Sequence, residues 1–170
     1  PTALNALTTP QEVSCYGYSD GGIQLQLLGG SPPYSCSWIG PNSFSSILED
    51  LQYLASGTYT YDVIDQNGCS LVSPAIRNVF VAEPPPILVT SIPTLIDCYG
   101  NSNGSIDLNI SGITGIPNIL WTGPNNFYST SMNISGLQAG VYNVIVTDPT
   151  TSCDHSLSEI MNPISTYNID

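Results

Sequence analysis

The sequence predicts an all-β protein made of two tandem immunoglobulin-like β-sandwiches, PKD- or fibronectin-like in type. Three observations lead there: short runs alternating apolar and polar residues, no run with the length and period of a helix, and an internal repeat of 83 residues. Cys15, Gly17, Gly21, Trp38, Gly40, Phe44, Gly57, Tyr59 and Asp65 recur as Cys98, Gly100, Gly104, Trp121, Gly123, Phe127, Gly140, Tyr142 and Asp148. From Cys15 to Asp65 the register holds without a gap, and 19 of 51 positions are identical. Cys69 and Cys153 align with one inserted residue. The repeat sets the expected boundaries: residues 1–83, residues 84–162, and 163–170 as the stub of a third copy, since Pro163 follows a strand-like run.

Each element has its own signal. Ile23, Leu25 and Leu27 alternate with Gln24 and Gln26, and Ile106, Leu108 and Ile110 with Asp107 and Asn109, the period of a strand buried on one face. GlyGlySerProPro at 29–33 breaks the chain before a third strand, on which Trp38 and Trp121 are expected as core aromatics. Thr58 to Ile64 and Val141 to Thr147 are Tyr/Val/Thr-rich strands, each followed by a turn-forming stretch that begins at Asp65 or Asp148 and ends in Cys69 or Cys153. Leu54-x-x-Gly57-x-Tyr59 and Leu137-x-x-Gly140-x-Tyr142 read as tyrosine corners, in which the hydroxyl of a Tyr early in the sixth strand bonds back to the preceding turn. About seven short strands in some 80 residues suit a sandwich.

Composition removes several functions. Charged residues are 8% of the chain, thirteen of the fourteen are acidic, Arg77 is the one base, and there is no Lys. A P-loop, a Schiff base and a phosphate clamp each need a cation that is missing. A net charge of -12 excludes nucleic acid as a partner, because the phosphate backbone dominates that binding. With 41% hydrophobic residues the chain has the material for a core. No stretch approaches the ~20 apolar residues of a membrane helix, so this segment is not expected to insert in a membrane. The start lacks the basic and apolar regions of a signal peptide, which suits a piece of a longer protein.

CysTyrGlyTyrSerAspGlyGlyIle at 15–23, GlyGlySerProProTyrSerCysSerTrp at 29–38 and LeuAlaSerGlyThrTyrThrTyrAspValIleAspGlnAsnGlyCys at 54–69 together resemble the SprB repeat of the large surface adhesins of gliding Bacteroidota. CysTyrGlyAsnSerAsnGlySerIle at 98–106 and LeuGlnAlaGlyValTyrAsnValIleValThrAsp at 137–148 repeat the pattern, and GlyIleThrGlyIleProAsnIle at 112–119 departs from it. The resemblance implies a non-catalytic structural segment of a filamentous cell-surface adhesin, exported by type IX secretion, associated with the outer membrane and used in gliding motility and surface attachment. Neighbouring repeats of the same chain are then the expected partners, with surface polysaccharide as a further one. No cofactor is required.

Five cysteines suit an oxidising compartment. Spacing suggests pairs within repeats, Cys15 with Cys69 and Cys98 with Cys153, leaving Cys36 free. Sandwich topology opposes them. Cys15 and Cys69 would lie at opposite ends of a strand, roughly 17–20 Å apart, whereas a disulfide needs Cα atoms within about 7 Å. Head-to-tail stacking instead favours Cys15 with Cys153, between repeats. Reduced thiols throughout are the third alternative, and Cys36 reads as core.

The same stacking would gather Glu12, Asp20, Glu83, Asp148 and Asp154, oxygen ligands of the kind Ca²⁺ selects. Solvated turn carboxylates are the competing account, since no D-x-D-x-D-G loop is present. His155 and Ser156 alone do not make a triad, the cysteines lack zinc spacing, and the sequons at Asn103, Asn109 and Asn133 matter only in a host that glycosylates them. A different class, a carbohydrate-binding module of a secreted surface protein, would use Tyr16 and Tyr99 as a glycan platform, or Tyr18 and Tyr128.

Overall fold

The structure is a computed structural model that describes residues 2–71 and 77–164 of the 170-residue chain. It divides into two compact units, Pro1–Pro84 and Pro85–Asp170. The first contains β1 (Asn5–Gln11), β2 (Gly21–Leu28), β3 (Ser35–Ile39), β4 (Ser45–Ser46), β5 (Leu51–Leu54), β6 (Gly57–Ile64) and β7 (Asn78–Val81). The second contains β8 (Leu88–Thr94), β9 (Gly104–Ser111), β10 (Asn118–Gly123), β11 (Phe127–Ser129), β12 (Ile134–Leu137), β13 (Gly140–Thr147) and β14 (Asp154–Met161). Of the expected third-repeat stub at 163–170, residues 165–170 lie outside the described residues.

Among the described residues, seven strands per unit form two antiparallel sheets, ordered β1-β2-β5 and β4-β3-β6-β7 in the first unit and β12-β9-β8 and β11-β10-β13-β14 in the second. This is the all-β sandwich that the alternating runs predict. Ile23 and Leu25 of β2 are buried while Gln24 and Gln26 are exposed, and Tyr59, Tyr61 and Val63 of β6 line the inner face. Their counterparts Ile106, Leu108, Tyr142, Val144 and Val146 do the same in the second unit. Each such aliphatic side chain contributes about 1.5–3 kcal/mol by leaving water.

Trp38 and Trp121 sit at the centre of the two cores, 1% and 0% exposed. A buried indole N–H needs an acceptor. Trp38 donates to the Leu48 carbonyl at 2.9 Å, and Trp121 to that of Ser131 at 3.0 Å. The first strand of each unit changes sheet. Beyond β1, Val13 N–H donates to the Ala82 carbonyl at 2.9 Å, and beyond β8 Ile96 bridges Pro163 in parallel. Val13 and Ile96, both buried, thereby close the same side of each sandwich. Pro10 and Pro93 occupy the edge strands β1 and β8 just before this switch.

The tyrosine corners form as expected. Tyr59 Oη donates to the Ala55 carbonyl at 2.9 Å and Tyr142 Oη to the Gln138 carbonyl at 3.2 Å. Each Tyr ring also meets a Phe edge-on, Phe44 at 5.3 Å and Phe127 at 5.2 Å between centroids. The ring lies against the backbone of Gly40 or Gly123: a Cβ on Gly40 would stand 2.5 Å from Tyr59 Cδ1, and one on Gly123 2.6 Å from Tyr142 Cδ1. Gly40, Phe44 and Tyr59 therefore recur together because they form one packing unit.

Candidate functional site: the cysteine turn and the aspartate hairpin

Two loops in each unit carry the residues singled out above. The first is the Cys-Tyr-Gly turn. Tyr18 N–H donates to the Cys15 carbonyl at 3.0 Å with Gly17 at φ 77°, and Asn101 N–H donates to the Cys98 carbonyl at 3.2 Å with Gly100 at φ 88°. A positive φ at the third position of a four-residue turn is what glycine supplies in type II geometry. The second position projects outward, leaving Tyr16 56% and Tyr99 92% exposed. Tyr99 borders an open groove of about 320 Å³ also lined by Ile96, Asn101 and Gln138. Tyr18 and Tyr128 are exposed as well.

Local carboxylates and amides hold the turn. Glu83 Oε2 accepts from Gly17 N–H at 2.7 Å, and Asp20 Oδ1 accepts from Ser14 N–H at 3.0 Å. The bonds from Ser14 hold the Asp20 carboxyl below its ordinary pKa. In the second unit Asn103 Oδ1 takes the place of that carboxylate, accepting from Asp97 N–H at 3.4 Å, and Asn101 Nδ2 donates to Asp97 Oδ1 at 2.7 Å. Asp97 is held low by the Asn101 and Asn103 side chains.

The second loop is the hairpin after β6 or β13. Asp65 and Asp148, though turn residues as the sequence indicates, are buried at 6% and 4% exposure. Asp65 Oδ1 accepts from Asn67 N–H at 2.9 Å and Cys69 N–H at 2.8 Å, and its Oδ2 reaches across to Ser31 N–H at 3.0 Å. Asp148 accepts from Thr150 N–H at 2.7 Å and Thr114 N–H at 3.2 Å. Each Asp thus fastens its hairpin to the loop between the second and third strands. Those amide bonds, chiefly from Cys69 and from Thr150, lower the two carboxyl pKa values. The loop at 112–119, which departs from the repeat pattern, is still clasped at Thr114. Sequence reading missed this clasp, although its signal was present in the recurrence of Asp65 as Asp148 and of Gly29 as Gly112, two residues before the amide that each Asp bonds.

The cysteines divide by state. Cys15 and Cys153 are oxidised to the disulfide level, whereas Cys36, Cys69 and Cys98 are free thiols. With Cys69 and Cys98 reduced, the pairs Cys15–Cys69 and Cys98–Cys153 are not formed. Cys36 is half-buried against the core, where burial raises its pKa. Cys69 and Cys98 are exposed. The two hairpin cysteines share one backbone bond: the Asp65 amide donates to the Cys69 carbonyl at 2.9 Å and the Asp148 amide to that of Cys153 at 2.8 Å, although Cys153 is buried and its hairpin is one residue longer.

Of the acids considered for Ca²⁺, Glu12 and Asp154 are exposed, Asp20 and Glu83 bond the first turn, and Asp148 is buried in its clasp. Among the described residues no three His, Cys, Asp or Glu side chains are grouped to hold a metal ion. His155 and Ser156 are neighbours on β14, so their side chains point to opposite faces of the sheet.

Geometry therefore defines a pair of immunoglobulin-like structural repeats, each ending in loops fastened by carboxylates and marked by cysteine. The SprB repeat family model matches the chain twice, over residues 7–43 and 90–126, one match in each unit. The chain carries two tandem SprB repeats, a repeat segment of a surface adhesin-like protein, and this family is structural rather than enzymatic. No curated relative matches the sequence.

Proposed function

We propose that the two repeats are a non-catalytic spacer in a filamentous adhesin used in gliding motility and attachment, carried to the cell surface by type IX secretion. The double SprB match carries this reading. An acidic, Ser-, Thr- and Asn-rich exterior resists self-association, and the Pro-rich segment at 83–86 restricts bending. The spacer holds its length through a disulfide joining Cys15 of one repeat to Cys153 of the next, supported by the oxidised state of these two residues. The calcium expectation is tested by one melt: a thermal midpoint indifferent to added Ca²⁺ and to chelator rejects a structural ion, and a rise with Ca²⁺ supports one. Deleting residues 1–162 from the parent adhesin tests the function: secretion and surface display persist while cell attachment and gliding weaken. Retention of the shortened protein inside the cell, or unaltered gliding, would count against it.

A second reading has one observation in its favour. Tyr99, 92% exposed beside a groove that presents the Asn101 and Gln138 amides, is a platform on which a neutral sugar would stack. Binding on a glycan array that disappears with Tyr16→Ala and Tyr99→Ala would move the assignment to a carbohydrate-binding module.

A further inference from the structure

Each repeat has one cysteine in the Cys-Tyr-Gly turn, Cys15 or Cys98, and one in the aspartate hairpin, Cys69 or Cys153. The oxidised residues are one of each kind: the turn cysteine of the first repeat and the hairpin cysteine of the second. The exposed thiols are the complementary pair, the hairpin cysteine of the first repeat and the turn cysteine of the second. Each of their loops shares a defining backbone bond with its oxidised counterpart. Cys98 opens the same four-residue turn as Cys15, and Cys69 accepts the same Asp amide as Cys153. Neither free thiol is buried, so both are open to an incoming disulfide.

We propose that Cys69 and Cys98 are the open ends of a head-to-tail disulfide series: Cys98 bonds the hairpin cysteine of a following repeat, and Cys69 bonds the turn cysteine of a preceding one. The proposal rests on the Cys15–Cys153 staple above and extends it from one joint to a rule of assembly. The occupant of each end is a second copy of this kind of repeat, because the geometry that matches each thiol is already present at the other end of the chain. Such an interface is heterologous and does not close on itself, so it propagates linearly. In chemical terms a Cys98 thiolate attacks a low-molecular-weight disulfide such as oxidised glutathione, releasing one glutathione thiolate. The Cys69 thiolate of another copy then attacks the resulting mixed disulfide at Cys98 Sγ and releases the second. Two thiols are oxidised, one disulfide is reduced to two thiols, and the two protons are taken up by the departing thiolates.

The test uses the whole chain and two single variants, Cys69→Ser and Cys98→Ser, incubated with oxidised glutathione. Non-reducing electrophoresis and peptide mapping are the readouts. The unaltered chain should give a ladder of dimers, trimers and longer forms, with Cys69 peptides linked to Cys98 peptides. Each variant alone should stay monomeric. Their mixture should stop at a dimer, since each variant offers only one competent end. A Cys36→Ser chain should still give the ladder. Either variant dimerising alone as readily as the mixture would mean unselective oxidation of exposed thiols and overturn the proposal, as would the absence of any ladder. The same map reports Cys15–Cys153 separately. Loss of that link with an intact ladder would sink the staple, and the reverse would sink the series.

Discussion

Gly40→Ala isolates the packing unit at the tyrosine corner. Gly40 has φ −158°, an extended conformation open to any residue, so backbone strain plays no part. On a free surface Gly→Ala would stabilise by about 0.4–1 kcal/mol, because the unfolded chain loses freedom. Here the new Cβ would lie 2.5 Å from both Cδ1 and Cε1 of Tyr59, well inside contact distance. The ring cannot retreat easily. Its hydroxyl is fixed to the Ala55 carbonyl, Phe44 stands against it edge-on, and Tyr59 is 2% exposed. Overpacking of this kind costs about 1–3 kcal/mol, so the clash outweighs the entropy gain and leaves a net loss of about 1–2 kcal/mol. For a domain of this size that lowers the midpoint by roughly 5–15 °C, at about 4–8 °C per kcal/mol. Differential scanning calorimetry reads it as a shift of the transition of repeat 1, and Gly123→Ala should do the same to repeat 2. In a Tyr59→Leu background the cost of Gly40→Ala should largely vanish, since contacting residues couple. An unchanged or raised midpoint in the single variant would refute the reasoning.

Three further outcomes follow from the geometry. Tyr142→Phe keeps the ring but removes the donor to the Gln138 carbonyl, and should destabilise repeat 2 by about 1 kcal/mol in chemical denaturation with an unchanged slope. The Asp65 and Asp148 carboxyls titrate lower when folded than when unfolded. Their stabilisation is therefore present above the ordinary value of 3.8 and lost as the pH falls through the lower folded one. Melts of the double variant Asp65→Asn, Asp148→Asn should be flatter in that acid range than those of the parent chain. The Arg77–Asp62 pair at 2.6 Å is partly exposed, at 30% and 45%, so Arg77→Met should cost at most about 1 kcal/mol. A Tm that barely moves with that substitution, and hardly responds to salt, checks this.

The fold was legible because its signals are local or repeated. Alternation fixes the inner face of β2 and β9, and the tyrosine corner has a fixed spacing. What identity between the repeats concealed is a set of exchanges that preserve a contact. Thr60 Oγ1 donates to Asn78 Oδ1 at 2.8 Å across β6 and β7, and Ser158 Oγ donates to Asn143 Oδ1 at 2.6 Å across β13 and β14. The hydroxyl and the amide have traded strands while the pairing register is the same, Thr60 opposite Asn78 and Asn143 opposite Ser158. Ser14 and Asp20 become Asp97 and Asn103 in the same way, and Asp50, which caps Leu25 N–H at 2.9 Å, becomes Asn133 on Leu108 N–H at 3.3 Å. Aligned letters differ at such positions, and only the tertiary contact shows them to be equivalent. The candidate site was legible in part. Turns and cysteines could be placed, but the burial of Asp65 and Asp148 depends on a loop 34 residues away in sequence.

The prolines of β1 and β8 bear on how such repeats survive in series. Pro10 and Pro93 sit in the strand at the open edge of each three-stranded sheet. A chain of similar domains keeps each at an effective concentration near millimolar beside its neighbours, where an emerging strand can be captured by the wrong sheet. A proline lacks the N–H that a captured strand would need as a partner, and so discourages pairing along that edge. Both repeats carry this block at the same place, which lets each copy complete its own sandwich while similar, unfinished neighbours are tethered to it.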